Sequence, residues 1–225
     1  MSLKEFRKLF PSFAYIADAS DSPLSLKGWE PGEYICRSGE AMERLFFLIT
    51  GRTRIFTTLY NGREFLYRIY RPGSIIGDIE YFLDIPAVCS AQCIGPVTIA
   101  SLPRTEIRGD GGTNGLAAVT ALGAGLAEKL KNSSLTEAVN SSYPAANRLA
   151  SYFMSLPPGE PHPGTLEELA GWLGTSYRHL LRIMSRFVEA GAVKKNGRRY
   201  YSGNRGRLEG FAGDTVWEPG AFDTE

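Results

Sequence analysis

Between residues 178 and 207 the chain carries nine lysines and arginines against a single acid, Glu189. Like charges at that density repel one another unless an anion lies among them, so the segment is suited to a polyanion. Arginine can pair bidentately with guanine, and lysine and arginine both meet phosphate, so duplex DNA offers each of them a partner. The rest of the sequence lacks this bias. Residues 1–112 carry 13 bases and 13 acids, and residues 208–225 carry five acids and no base. The formal net charge of +1 therefore conceals a strongly basic block.

The flanking pattern says how these cations are presented. Thr165-Leu166-Glu167-Glu168 has the S/T-x-x-E form of a capping box and opens a short helix with Leu166, Leu169, Ala170 and Leu173 on one face. Gly174 ends it, Thr175-Ser176 caps a second helix reaching about Ala190, and Gly191 is the stop. Two such helices around a glycine-containing turn predict a helix-turn-helix. Counting about 100° per residue from Arg178, the residues Leu180, Ile183, Met184 and Phe187 fall between about 140° and 240° and form a buried stripe. His179, Arg182, Ser185, Arg186 and Glu189 lie within about 100° of Arg178, on the side away from the core. Solvated faces usually mix signs at i, i+4; this one carries three arginines and a histidine against one acid.

Next comes Val193-Lys194-Lys195-Asn196-Gly197-Arg198-Arg199-Tyr200-Tyr201, two strand-like arms around Asn-Gly. This predicts a hairpin with Lys194 and Lys195 on one arm and Arg198 and Arg199 on the other. A basic hairpin after such a helix is a winged helix-turn-helix, with affinity for DNA that falls steeply as salt rises.

The N-terminal half follows a different period. Tyr34 to Cys36, Leu45 to Ile49, Arg52 to Leu59, Phe65 to Tyr70, Val88 to Cys93 and Val97 to Leu102 read as strands. Pro31-Gly32, Ser38-Gly39, Thr50-Gly51, Asn61-Gly62, Pro72-Gly73 and Gly95-Pro96 are the turns between them. Turn signals at this spacing predict an antiparallel sandwich or jelly roll, and Asn61-Gly62 predicts a type I′ hairpin. From Asn114 to Val139 there is no proline, and Leu116, Val119, Leu126, Leu130 and Leu135 recur at helical spacing. Alanines with Gly123 and Gly125 make one side of this helix small, which suits either packing on the sandwich or a homodimer seam through residues 114–139. Tyr143 to Leu156 predicts a further helix.

Composition removes several classes. The longest apolar run, Leu45 to Ile49, is far short of the roughly 18–20 residues that span a bilayer, and Met1 to Phe10 is too polar for a secretory signal. A cytoplasmic protein with no membrane partner is expected. His162 and His179 are the only histidines, none lies in the strand region, and a cupin-type metal enzyme or a histidine-based triad is not expected. We expect no catalytic residue, no metal and no certain cofactor.

The ordered set Pro31-Gly32-Glu33, Gly39-Glu40, Leu45 through Gly51, Pro72-Gly73, Gly77-Asp78, Glu168-Leu169-Ala170, Leu173-Gly174 and Ser176 through Arg182 resembles the Crp/Fnr superfamily of bacterial transcription regulators over residues 25–205. The resemblance implies an α+β chain: residues 1–112 a cyclic-nucleotide-binding-type jelly-roll sensor, 113–141 a dimerisation helix, and 142–225 a winged helix-turn-helix with an acidic tail. It implies a homodimer on a near-palindromic site, its two recognition helices about 34–36 Å apart, and RNA polymerase as a further partner. By the same analogy Tyr177, Arg178 and Arg182 match positions that commonly read bases, with His179 between them; Arg186, Lys194, Lys195, Arg198 and Arg199 complete the expected DNA contacts.

The effector cassette departs from the family pattern. Family members that bind cyclic nucleotides hold the phosphate with Gly-Glu and, after it, Arg-Ser or Arg-Thr; here Gly77-Asp78-Ile79-Glu80 is followed by Cys89-Ser90, with cysteine in place of arginine. A phosphate buried there would face Asp78 and Glu80 without a matched cation, unless Arg68 or Arg71 substituted. The expectation is an unknown small-molecule effector other than cyclic AMP, or redox control through Cys36, Cys89 and Cys93. The alternatives are a cyclic-nucleotide regulator with a divergent pocket, and a sensor or interaction module without DNA readout. Cys89 and Cys93, four apart on one strand, lie too far apart to bond to each other, and the three cysteines are otherwise packing groups, a cross-strand pair with Cys36, or metal ligands.

Overall fold

The computed structural model describes residues 3–19, 21–60, 62, 64–109, 113–162 and 164–215, which form two compact units, Met1–Leu130 and Lys131–Glu225. The first begins with helix α1 (Leu3–Leu9), a 3-10 turn (Pro11–Phe13) and helix α2 (Ala14–Asp18). Strands β1 (Ser25–Trp29), β2 (Tyr34–Cys36), β3 (Arg44–Thr50), β4 (Thr53–Thr58), β5 (Glu64–Tyr70) and β6 (Ile75–Ile76) follow. Helix α3 (Asp78–Leu83), strands β7 (Ser90–Cys93) and β8 (Val97–Pro103), helix α4 (Arg104–Gly109) and the start of helix α5 (Thr113–Ser142) complete the unit. The boundary between units falls within α5.

The strands make two antiparallel sheets, ordered β1-β8-β3-β6 and β2-β7-β4-β5. Neighbours that are distant in sequence, such as β3 and β8, are joined by long crossovers, as in a jelly roll. Leu48, Ile55, Ala91, Cys93, Val97 and Ile99 fill the space between the sheets. A second cluster forms outside the first sheet. There the rings of Phe6, Phe10 and Phe13 meet Phe47 of β3 at 5.3, 5.0 and 4.9 Å, joined by Ala118 and Leu122 of α5. Burial of an aromatic ring is worth a few kcal/mol, so these short helices are held by their phenylalanines rather than by their length.

Strand β6 and the short helices α1 to α4 are absent from the sequence reading, and two further features of the sheets differ from it. The β4–β5 connection is longer than the two residues of a type I′ turn, since the last pair of the hairpin is Thr58↔Glu64. Leu59 and Tyr60 leave the ladder and stand exposed, and Asn61 lies outside the described residues. Strand β1 was not anticipated because Ser-Leu-Lys-Gly-Trp has no apolar alternation; its registered pairing with β8, from Ser25↔Ser101 to Trp29↔Val97, makes it a strand.

The second unit takes the end of α5, then α6 (Ala145–Ser155), α7 (Leu166–Trp172), α8 (Tyr177–Glu189), strands β9 (Val193–Asn196) and β10 (Arg199–Ser202), and α9 (Arg205–Ala212). Its core holds Leu149, Phe153, Leu169, Leu180, Phe187 and Leu208. Helix α9, with two glycines and no clear stripe, is missing from the sequence reading. Asn204 caps it, its side chain accepting from the Arg207 amide at 3.0 Å, and Phe211 stacks on Phe187 at 4.5 Å. The β9–β10 turn also shifts by one residue. Asn196 pairs with Arg199, so the turn residues are Gly197-Arg198, and only Gly197 has positive φ (58°), the II′ pattern with glycine first.

Candidate nucleic-acid interface

The helix-turn-helix is fixed by local polar contacts. The Thr165 hydroxyl accepts from the Glu168 amide at 3.2 Å while the Glu168 carboxylate accepts from the Thr165 amide at 2.9 Å, the reciprocal capping box. Gly174 turns the chain with φ +59°, and Ser176 caps α8 by accepting from the His179 amide at 3.2 Å. At the far end of α8 the Gly191 amide donates to Val188 and the Ala192 amide to Phe187, with Gly191 at φ +66°, and the Arg207 guanidinium covers the Ala190 carbonyl. The exit of the hairpin is tied to that same end: the Gly203 amide donates to Ala192 at 2.9 Å, and the Asn204 amide to Gly191 at 3.0 Å. A Cβ on Gly203 would sit 2.6 Å from the Gly191 carbonyl oxygen and 2.7 Å from that of Ala192, so only glycine allows this approach.

These anchors leave the basic side chains facing outward. Leu180, Ile183, Met184 and Phe187 are buried, whereas Tyr177, Arg178, His179, Arg182, Arg186, Lys194, Lys195, Arg198 and Arg199 are exposed. Among the described residues none of these lysines and arginines forms an ion pair. Two neighbours were not singled out from sequence. Leu181 stays 36% exposed beside Arg182, an apolar contact suited to a thymine methyl. Glu167 of α7 hydrogen-bonds the Tyr177 hydroxyl, and its charge pushes that phenol above its ordinary pKa. Behind the face, buried His162 links the parts: Nδ1 meets the Tyr152 hydroxyl at 2.5 Å, Nε2 lies 3.2 Å from the Thr165 carbonyl, and its amide donates to Tyr200 at 2.8 Å.

The cassette of the first unit turns its charges inward. Gly77, with φ +98°, starts α3. Asp78 is buried, and its Oδ2 lies 2.6 Å from Lys129 Nζ of α5. Lys129 also donates to the Ile75 carbonyl at 2.8 Å and lies 4.8 Å from the Tyr70 ring centroid. Burial alone would lower the pKa of Lys129; the Tyr70 and Asp78 charges and their hydrogen bonds outweigh it and hold the ammonium above its ordinary value. Glu80, also buried, accepts from the Val88 amide at 2.9 Å, and Ser90 Oγ accepts from the Ser38 amide at 3.1 Å. Ile79 is partly exposed. The cation on Asp78 is thus Lys129, rather than Arg68 or Arg71, and it comes from a helix 51 residues away in sequence.

Residues 26–109 match the cyclic nucleotide-binding domain model and residues 147–211 the Crp-like helix-turn-helix domain model. The regulatory protein YeiL of Escherichia coli O157:H7 is 30% identical over 180 residues, covering 80% of this chain and 82% of that one. The chain belongs to the Crp/Fnr family of transcription regulators. Two solved structures share its fold: FixK2 from Bradyrhizobium japonicum (TM-score 0.67, 20% identity, 84% of this chain and 96% of the other) and the c-di-GMP responsive global regulator CLP of Xanthomonas campestris (0.73, 15%, 88% and 99%).

Within this Crp/Fnr chain the cysteines are free thiols. Cys89 precedes β7 rather than lying on it, and Cys36 pairs in register with Ala91 while its thiol reaches the Cys89 carbonyl at 3.7 Å. Burial pushes the thiol of Cys36 up to about 12 and those of Cys89 and Cys93 up to about 11; Glu80 adds to the first two and Glu33 to the third. Among the described residues no group of three or more His, Cys, Asp and Glu side chains is arranged to hold a metal ion, and no helix is long and apolar enough to cross a membrane. Helix α5 turns Ala118 and Leu122 inward and leaves Leu116, Leu130 and Leu135 at least 60% exposed.

Proposed function

We propose that this regulator binds near-palindromic duplex DNA as a homodimer and responds to an effector other than a cyclic nucleotide. Residues 1–112 act as sensor, 113–141 as dimerisation helix, and 142–225 as reading head with an acidic tail. Arg178 and Arg182 read bases together with Tyr177 and His179, while Arg186, Lys194, Lys195, Arg198 and Arg199 meet phosphates. The carrying observation is the outward array of cations on α8 and the hairpin, which form no ion pair among the described residues. The exposed Leu116, Leu130 and Leu135 of α5 support a seam between two copies of the chain. RNA polymerase is the further partner of this reading.

The effector assignment rests on the cassette: Cys89 offers no guanidinium, and Asp78 and Glu80 already have internal partners. Raised thiol pKa values leave little thiolate at neutral pH, which argues against redox control. Mobility shifts on half-sites spaced by one DNA turn, across a salt series, test the reading. Affinity should fall linearly in log–log form as salt rises and should collapse when one half-site is scrambled. Binding indifferent to salt and sequence would overturn it.

A further inference from the structure

We infer that His162 is a positioning residue of the reading head, joining the first turn of α7 to the hairpin while its ring is neutral, and that this makes DNA binding sensitive to acid. The inference rests on the proposed reading that α8 and the hairpin bind DNA, and it names a regulation of that same site. His162 is buried, and its two ring nitrogens and its amide each meet a different element. Nδ1 lies 2.5 Å from the Tyr152 hydroxyl of α6, Nε2 lies 3.2 Å from the Thr165 carbonyl that opens α7, and the amide donates to the Tyr200 carbonyl of β10 at 2.8 Å. Pro161, one residue earlier, bridges to Tyr201 of the same strand. A carbonyl can only accept, so Nε2 carries the ring proton and Nδ1 accepts from the Tyr152 hydroxyl. The neutral ring is matched at both nitrogens.

The charged ring would not be. A proton on Nδ1 takes away the acceptor that the Tyr152 hydroxyl uses, and it buries a cation against the Tyr152 ring, whose centroid is 5.5 Å away. Tyr152 faces the imidazole from α6, the Tyr200 carbonyl from β10 and Glu168 from α7; of these, Glu168 alone is charged at neutral pH. Glu168 Oε2 and His162 Nε2 lie 2.6 and 3.5 Å from the point where a side chain on Gly164 would begin. That carboxylate accepts from the Thr165 amide at 2.9 Å, as half of the capping box. A hydrogen bond from imidazolium to carboxylate is roughly twice as strong as one between neutral groups, so the protonated ring turns from the Thr165 carbonyl to Glu168, and Glu168 leaves the Thr165 amide. The capping box opens, the first turn of α7 frays, and the hairpin keeps its attachment at Gly203 but loses the one at His162. Histidine gains its charge between about pH 8 and 5, which sets the working range of the device. His179, the other histidine, is exposed on α8 and gains charge in the same range, where it draws a polyanion in; the two act in opposite directions.

Operator affinity of the full chain, measured at constant ionic strength at about pH 8 and about pH 5.5 and at steps between, tests this. The readout is the affinity at the acid end divided by that at the alkaline end, compared between wild type and His162→Gln; both keep His179, so its own titration cancels. The wild-type ratio should lie at least about fivefold below that of His162→Gln. Tyr152→Phe removes the hydroxyl that holds the ring neutral and should move the fall toward higher pH. Equal ratios in wild type and His162→Gln, or a Tyr152→Phe profile that stays in place, would overturn the inference. Proton NMR of the wild type gives the same decision where a variant does not fold: the chain has two histidines, and His179→Gln assigns their two ring Cε1–H signals. The His162 signal should titrate together with the amides of Thr165, Glu168 and Tyr200. A ring that titrates without moving those amides, or that stays neutral down to about pH 5.5, would overturn it. Failure of the wild type to bind DNA at any pH would overturn the regulator reading, with the NMR titration still deciding the role of His162.

Discussion

The two units of this chain treat charge in opposite ways. In the first, Asp78, Glu80 and Lys129 are turned inward and matched to one another or to backbone amides. In the second, the cations of α8 and the hairpin are turned outward, and among the described residues they have no ion-pair partner. A charge satisfied internally is unavailable to a ligand without an exchange, whereas a charge left in water is free to meet a polyanion at the cost of counterions alone. The same chain thus holds one surface ready for binding and one cassette closed by its own side chains.

The contrast can be broken most severely by removing what holds the outward face in place. Phe187→Ala empties the centre of the second unit, where Phe187 is fully buried and stacked on Phe211. It should cost about 3–5 kcal/mol and abolish cooperative unfolding of that unit in calorimetry, with the sensor transition retained. Arg182→Ala should weaken operator binding by about 1–3 kcal/mol and leave Tm nearly unchanged, because the side chain is exposed. Equal loss on random DNA would reassign it to phosphate contact. Thr165→Ala removes half of the capping box and should lower stability by about 1 kcal/mol in chemical denaturation. Lys194→Ala should weaken binding to all sequences alike and make the salt slope shallower by about 0.9.

The inward face is best sharpened by pH. The folded-state pKa values of Cys36, Cys89 and Cys93 lie above the ordinary thiol value of 9.0, so these thiols favour the folded sensor fully below pH 9 and lose that contribution as pH rises through 11 to 12. Lys129 is also raised, and its contribution is present below 10.5 and lost above it. Alkaline titration followed by circular dichroism should therefore unfold the sensor from pH 9 upward. Iodoacetamide at pH 8 should label the native thiols far more slowly than the denatured ones.

The reading head was legible in sequence because its determinants are local. The Thr165–Glu168 box, the stops at Gly174 and Gly191, and the stripe of Leu180, Ile183, Met184 and Phe187 each span a few residues, and each folds as its spacing dictates. Six strands of the sandwich were legible for the same reason. Helix α9 and strand β1 were not, since Phe211 needs Phe187 and Ser25–Trp29 needs β8 before either segment gains its structure. The cassette was legible in part: the lack of a guanidinium at Cys89 is local, whereas the cation on Asp78, Lys129, is 51 residues away and beyond any local pattern.

Gly203 carries a mechanical consequence. Its backbone touches the end of the recognition helix so closely that no side chain fits between them, and two hydrogen bonds lock the contact. The span from the outward side chains of α8 to the tip of the hairpin is therefore set like a fixed caliper. On the proposed DNA-binding reading, a bent or narrow-grooved operator must yield to the protein, and operators that deform cheaply should be preferred even at positions no side chain reaches.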